Sequence, residues 1–576
     1  MATDNSNYGL NAAAPRTKSY EGRQCVPCSY VRASSTIRKR LVACCDGTFC
    51  SSDKGKENYA TNITRLCRII ANTGLDEDKQ PITQLVNYQS GVGTGWLTPL
   101  NKDLQAFGDG LTEKVCEQYN YLVNNYGPGD EIFIFGFSRG AYTARALASF
   151  ICQIGLLSPG MMDYFAEIFN AYKRRDRKTE KDFRHMRWAQ EYVRPGELGF
   201  DSDCRERWTR YEWIREWAHY HVEVKVVGVF DTVGSIGISG YVKQPGEDTG
   251  FHQSRLHPKI RHAFHALALD ESRGNFPPTM FYLDQECIKA GVKLRQCWFP
   301  GYHGCVGGMS RAQDDRNSVD EIALAWMIDQ LTKENLLQIN KRALEYPILN
   351  RLASNVRPND SKSPAPRSPQ EANERRRIDW SDGKLIDTQK LGWHLASEVA
   401  THRWDYVRQP GQYYATERVN GKTYSLDYTY FDEMIHPCVW HRIKHRDYEP
   451  RSMPLDRWSR HRKSNGAGFE WVKYDRHGNP KIRIPEYVIP HIDVPDYGMQ
   501  HWTSCLEARI APGDYLYKLD QANGVIRGHT KRPRPVTHDS GYGGSVDEYL
   551  SVETIKITTS DPPASRGSAM EYFEGG

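Results

Sequence analysis

The segment Gly136-Phe137-Ser138-Arg139-Gly140 carries the most specific chemistry in the chain. A serine flanked at two positions on either side by glycine fits a nucleophile elbow. There the serine adopts a strained backbone conformation at a tight strand-to-helix turn, and bulkier neighbours would clash. The bare pattern arises easily by chance. Here, however, the apolar run EIFIFGF leads directly into it and the alanine-rich run AYTARALASF follows, the strand-turn-helix context an elbow needs. Gly136 and Gly140 are then the structural glycines of the turn. The Ser138 hydroxyl projects at a helix N-terminus, where free amides and the helix dipole favour developing negative charge.

A serine needs a base, and the base needs an acid to orient it. In a parallel α/β sheet both belong at the carboxyl ends of strands. Asp231 directly follows VKVVGVF, and His303 follows LRQCWFPGY on the loop after the next clear strand. Other histidines are poorer candidates. His219 and His221 precede a strand, while His262 and His265 fall in a stretch that reads as helical. The chain order Ser138, Asp231, His303 is the one α/β-hydrolases use. An oxyanion hole needs two donors: the backbone amide of Arg139, next to the serine, and one from Gly47 or Thr48, at the end of the first strand.

Rival chemistries lack residues they require. The run Cys45-Asp46-Gly47-Thr48 resembles the DxDGT loop of haloacid dehalogenase phosphatases, but Cys44 stands where their nucleophilic aspartate would be. GVGTG (91–95) resembles a phosphate loop, yet no lysine follows and Trp96 replaces the last glycine of GxGxxG. Cys25 and Cys28 form a CxxC pair with no second pair to complete a zinc site. The sequence therefore calls for no metal and no cofactor.

The elements that must position these residues are short β-branched or aromatic runs alternating with helical patterns. Strands are expected at 41–45, 84–89, 131–137, 222–230 and 292–299. Helices are expected at 62–72, 104–125, 141–154 and 318–330, the last opening on a Ser318/Glu321 capping box. That alternation predicts an α/β-hydrolase-like fold: a mostly parallel sheet with helices on both faces, a helical insertion and C-terminal extensions. By segment, residues 1–35 read as a disordered leader and 36–345 as the hydrolase core. Within it 160–220 is an aromatic, basic helical insertion that can serve as a lid, with Trp213 and Trp217 on one helix face. Residues 355–378 read as a linker or long loop, 379–450 as the remainder of the hydrolase region, 451–522 as a small β-containing extension and 523–576 as a disordered tail. A hairpin is expected around the RHGN turn, between 471–474 and 481–484.

With 76 Lys and Arg against 71 Asp and Glu, the net charge of +5 on 576 residues argues against a dedicated nucleic-acid binder. The fourteen cysteines are scattered, several in apolar runs, as in a reduced intracellular protein. No segment is apolar for long enough to span a bilayer, and the N-terminus lacks a signal-peptide layout, so the expected compartment is the cytoplasm.

Several motifs resemble those of a fungal and bacterial α/β-hydrolase domain family related to the catalytic domain of type VI secretion phospholipase effectors. They are LVACCDGT, NITRL (62–66), YQSGVGTG (88–95), IFIFGFSRGAYTARALA, VGVFDTVGSIG, HALALDE (265–271), WFPGYHGCVGG and DEMIHPCV (432–439). The resemblance spans roughly 38–445 and implies Ser138 as nucleophile, Asp231 as triad acid and His303 as base. The family usually writes a histidine followed by Ser-Asp-Val-Gly-Gly, whereas this chain has His303-Gly304-Cys305-Val306-Gly307-Gly308, and Cys438 stands where serine is common. The expected function is a serine hydrolase cleaving carboxylic esters, lipid or phospholipid, through an acyl-enzyme. The expected partners are the ester or lipid substrate and a peripheral membrane surface met by the Trp-rich insertion. The alternatives are a non-catalytic binding or scaffold module on a hydrolase fold and a transacylase using the same triad. The sequence sets no oligomeric state.

Overall fold

The computed structural model describes residues 38–91 (except 49 and 53–59), 109–173, 218–233 (except 220), 254–308 (except 275), 319–340, 406–445 (except 420–421 and 426–428) and 448–489 (except 465–467), with isolated positions 343, 385 and 507. The leader (1–35), most of the 160–220 insertion with Trp213 and Trp217, the 355–378 linker, the 523–576 tail, the Cys25/Cys28 pair, Ser318 and the glycine loop beyond Gly91 lie outside the described residues.

In chain order the elements are β1 (Lys39–Cys45), α1 (Asn62–Ile69), β2 (Thr73–Leu75), β3 (Pro81–Gln89), α2 (Asp109–Asn125), β4 (Glu131–Phe137), α3 (Arg139–Ile154), β5 (Leu156–Leu157), α4 (Phe165–Lys173), β6 (Ala218–His219), β7 (Val224–Phe230), β8 (Ile260–Ala268), α5 (Gln285–Lys289), β9 (Lys293–Phe299), α6 (His303–Gly307), α7 (Val319–Thr332), β10 (Thr416–Val419), β11 (Lys422–Ser425), β12 (Glu433–Ile435), α8 (Cys438–His445), β13 (Trp458–Arg462), β14 (Phe469–Tyr474) and β15 (Pro480–Pro485). The main sheet has eight strands in the order β12-β9-β8-β7-β4-β1-β3-β2. All its pairings are parallel except that of β2, an antiparallel edge on β3. This is the mostly parallel α/β architecture expected.

The central strands read as unbroken apolar runs because both of their faces are covered. Alternate residues of β1 and β4 enter opposite cores. Leu41, Ala43, Ile132 and Ile134 pack with α2 and α3, while Val42, Cys44, Phe133 and Phe135 pack with α1 and α7. Helix α7 is buried from Val319 to Leu331, so it carries apolar residues all round instead of a stripe.

Three features depart from the sequence reading. His262 and His265 lie on a strand, β8, and not on a helix. Its run IRHAFHALA is rich in alanine and histidine, and with both faces buried it shows no period-two alternation to separate it from a helix. Second, DEMIHPCV supplies β12, an eighth strand at the sheet edge. Third, beside the expected hairpin, in which β14 and β15 pair antiparallel around the RHGN turn, β13 adds a further strand. This small sheet shares an apolar cluster with the edge of the main one, containing Trp298, Ile435, Met453, Trp458, Trp471 and Ile484. Among the described residues no helix is long and apolar enough to cross a membrane.

From β1 the chain runs out to β3 on one side and returns to β4 on the other. A crevice therefore opens between the carboxyl ends of β1 and β4, where ligands collect in open α/β sheets. Ser138 follows β4, and Gly47 follows β1.

Candidate active site

Ser138 joins β4 to α3 with φ +58° and ψ −124°. A non-glycine residue at positive φ is costly, so the surroundings must hold it there. Its amide donates to the Phe230 carbonyl at 3.1 Å, and its own carbonyl accepts from Tyr142 at 3.3 Å. The flanking glycines are demanded by space. A Cβ on Gly136 would lie 2.4 Å from the Gly140 oxygen, and one on Gly140 would lie 2.3 Å from the Cys45 oxygen.

Asp231, the first residue beyond β7, is fully buried and also at positive φ, +40°. His303 opens the short helix α6 after β9. Its Nδ1 lies 2.6 Å from Asp231 Oδ2, and its Nε2 lies 2.7 Å from Ser138 Oγ. An ionised carboxylate only accepts, which puts the imidazole proton on Nδ1 and leaves Nε2 to accept from the serine hydroxyl. The ring stacks on Phe137 and meets the edge of Phe276.

Two acids of HALALDE hold the loop that carries the histidine. Asp270 Oδ2 accepts from the Gly301 amide at 2.6 Å and from the Tyr448 hydroxyl at 2.6 Å. Glu271 Oε2 accepts from the His303 amide at 3.2 Å, and Arg273 grips the same carboxylate at 2.8 and 2.9 Å. Burial pushes Asp270 up to about 6. Glu271 is equally buried, but Arg273 beside it keeps its carboxyl below the usual range.

The electrostatics of Asp231 depend on a residue the sequence reading missed. Arg408 is fully buried and donates to Asp231 Oδ1 at 2.5 Å and to Oδ2 at 3.0 Å. The Ala268 amide donates to Oδ1 as well, at 3.0 Å. Burial alone would raise the carboxyl. The Arg408 charge and the His303 hydrogen bond outweigh it and hold Asp231 far below the usual carboxylate range. For His303 burial is the larger effect and lowers the imidazole, with Asp231 pulling the other way. Nothing in the local pattern around Arg408 announces its role, because an ion pair across 177 positions leaves no spacing to read.

On the opposite side of the serine, a Cβ on Gly47 would come within 3.3 Å of Ser138 Cβ, so the loop after β1 approaches the elbow closely. Gly91, the first glycine of GVGTG, packs against the Gly47 carbonyl, where a Cβ would overlap it at 1.7 Å. The Gly47 amide donates to Asp46 Oδ1 at 2.7 Å. The other oxygen of Asp46 accepts from the Thr61 and Tyr88 hydroxyls, both at 2.7 Å, and from Thr64 at 3.1 Å. The buried Thr48 hydroxyl has no hydrogen-bond partner among the described residues. All the residues expected from the sequence, Ser138, Asp231, His303, Arg139, Gly47, Thr48, Gly136 and Gly140, thus lie at the carboxyl ends of β1, β4, β7 and β9.

A curated relative, the uncharacterized protein YEL023C of Saccharomyces cerevisiae, is 29% identical over 266 residues, covering 43% of this chain and 33% of that protein. The chain thus spans about a third of that relative. Two solved structures are similar. One is the Tle1 effector bound to the VgrG spike of the type 6 secretion system, with 19% identity, a TM-score of 0.27, and coverage of 52% of this chain and 56% of that one. The other is an uncharacterized protein from Pseudomonas aeruginosa, with 16% identity, a TM-score of 0.29, and coverage of 55% and 48%. The model of the Tle1-like phospholipase effector catalytic domain of type VI secretion matches residues 39–330, just over half of the 576. From β1 through most of α7, this chain belongs to that catalytic-domain family.

Proposed function

We propose that the chain is a serine hydrolase that cleaves carboxylic esters of lipids, phospholipids in particular, through an acyl-enzyme. His303 Nε2 takes the proton of Ser138 Oγ as the oxygen attacks the ester carbonyl, and the imidazolium then returns it to the leaving alcohol. Asp231 fixes the tautomer and stabilises the charged ring. The oxyanion is held by the Arg139 amide and by a donor from the loop after β1. Of the two candidates there, Gly47 already donates to Asp46, so Thr48, with its buried free hydroxyl, is the better one. Water attacks the acyl-enzyme in the second half-reaction, with His303 again as base.

The observation that carries this reading is the hydrogen-bonded relay of 2.7 and 2.6 Å from hydroxyl to imidazole to carboxylate. The lipid preference rests on the family. Contact with a membrane through the 160–220 insertion and a reducing, cytoplasmic setting belong to the same reading, the latter supported by the buried thiols of Cys44, Cys45, Cys152 and Cys297. Ser138→Ala is expected to remove esterase and phospholipase activity by about a thousandfold or more, and to abolish fluorophosphonate labelling, without unfolding the chain. A folded Ser138→Ala protein that keeps its activity rules the mechanism out.

A further inference from the structure

Arg408 lies beyond the family-matched span, which ends at residue 330, yet its guanidinium reaches the carboxylate against His303. Its four hydrogen bonds form a fork. Two go to the Asp231 oxygens, one to the Ala268 carbonyl at 2.8 Å and one to the Phe276 carbonyl at 3.0 Å. Ala268 ends β8, and Phe276 is the residue whose ring edges His303. One side chain therefore ties together the acid, the strand beside it and the wall of the base.

The charges facing the imidazole form a balanced set. Asp231 comes from the loop after β7 and Glu271 with Arg273 from the loop after β8, while Arg408 stands behind Asp231. Asp270, in the same loop as Glu271, binds the Gly301 amide two residues before His303. His265, on β8, also lies near Asp231. Its Nε2 accepts the Thr232 amide at 3.1 Å and burial pushes it down to about 3, so it adds no charge. Apart from Asp270, which is taken up by the Gly301 amide and the Tyr448 hydroxyl, two carboxylates and two guanidiniums remain, and removing Arg408 leaves the buried histidine facing a net negative charge.

We propose that Arg408 is a positioning residue of the catalytic unit, holding the Asp231 carboxylate in line with His303 and offsetting its charge, so that the carboxylate's grip on an imidazole proton is weakened. The proposal rests on the serine-hydrolase reading for its kinetic consequence but not for its electrostatic one. It also makes the chain after residue 330 part of the site, where Tyr448, on Asp270, is a second contributor.

The test uses the full-length chain with Arg408→Gln and Arg408→Lys. In Arg408→Gln the cation is gone. The pH at which His303 titrates, followed by NMR of ring-labelled histidine with His303→Gln for assignment, should rise by on the order of one unit. The acid limb of fluorophosphonate inactivation should move up with it. Arg408→Lys keeps the charge but not the fork, so its titration should stay within about 0.3 unit of wild type while the inactivation rate falls about tenfold or more. A folded Arg408→Gln protein whose His303 titrates as in wild type overturns the charge effect, and wild-type rates in Arg408→Lys overturn the positioning effect. If Arg408→Gln does not fold, the lysine variant decides: a titration displaced like that expected of the glutamine variant, or an unchanged rate, refutes the proposal. Failure of wild-type Ser138 to react with the probe counts against the proposed function alone, since the NMR titration still decides the role of Arg408.

Discussion

Asp231 and Glu507 are both fully withdrawn from water, one at the rim of the candidate site and the other behind the edge of the main sheet, and their pKa values are shifted in opposite directions. Asp231 has Arg408 on both of its oxygens and is held far below the ordinary carboxylate range. Glu507 meets the His436 ring at 2.8 Å and the Tyr487 hydroxyl at 2.8 Å. Burial pushes it up to about 8, and it pushes His436 down to about 3, so that pair carries no fixed charge. Glu433 shows the same behaviour, pushed up to about 7 although the Gly411 amide and the Trp298 indole both donate to it. Neutral donors therefore do not compensate burial in this fold, whereas a guanidinium does. At the candidate site Asp231 and Glu271, each against a guanidinium, are held below the ordinary range, whereas Asp270, Glu433 and Glu507, served by neutral donors, are raised above it.

The contrast breaks most severely at Asp231→Asn. The amide offers one acceptor where two are used, leaves Arg408 buried without its counter-charge and favours the wrong imidazole tautomer. The expected loss is about 10³–10⁴ in kcat at neutral pH, with roughly 3–5 kcal/mol of stability lost in urea unfolding. Activity within tenfold of wild type would reduce Asp231 to a structural counter-ion for Arg408. Asp46 is an intermediate case. It is buried, raised above the usual carboxylate range by that burial, and served by four neutral donors that limit the rise. Asp46→Asn puts an amide donor among those donors and loosens the loop that carries Gly47 and Thr48. It should cost about 1–3 kcal/mol and lower kcat more than it raises KM. A KM effect alone would argue that this loop binds substrate and takes no part in stabilising the transition state.

How much of this was legible in the sequence depended on the range of each interaction. β4, β7 and β9 announce themselves because apolar runs buried on both faces need no partner to be recognised. Ser138 and Asp231 directly follow β4 and β7, and His303 comes four residues after the end of β9. β8 was misread because IRHAFHALA lacks the β-branched density of its neighbours, and its strand character comes from the two strands between which it lies. HALALDE and NITRL are visible as motifs, but their work is long-range. Asp270 and Glu271 hold the histidine loop, and Asn62 donates to the carbonyls of Val306 and Asp320. Arg408 is invisible for the same reason in stronger form, since its partners lie on other elements far back in the chain.

The subtlest effect is on stability at alkaline pH. For an acid whose folded pKa is raised, the stabilising contribution is fully present below the unfolded value, about 4.3 for glutamate, and is lost as pH rises through the folded one. For Glu507 that window runs from about 4 to 8. Asp231, depressed in the fold, behaves in reverse: its contribution is present above roughly pH 4 and is lost only in strong acid. Glu507→Gln keeps an oxygen for His436, whose Nδ1 already accepts the Cys438 amide and whose Nε2 must therefore donate. It also puts an amide where the Tyr487 hydroxyl donated, a hydroxyl that already accepts from Gln330 Nε2, so one hydrogen bond is lost at every pH while the titration is removed. The decline in thermal stability between pH 6 and 8 should flatten by up to about 1 kcal/mol per pH unit. Glu433 retains the rest of the slope, and kcat should not change. An unaltered slope in Glu507→Gln would mean that Glu507 is already ionised at neutral pH, and that a neutral site in this fold can hold a buried charge as well as the guanidinium-bound one does.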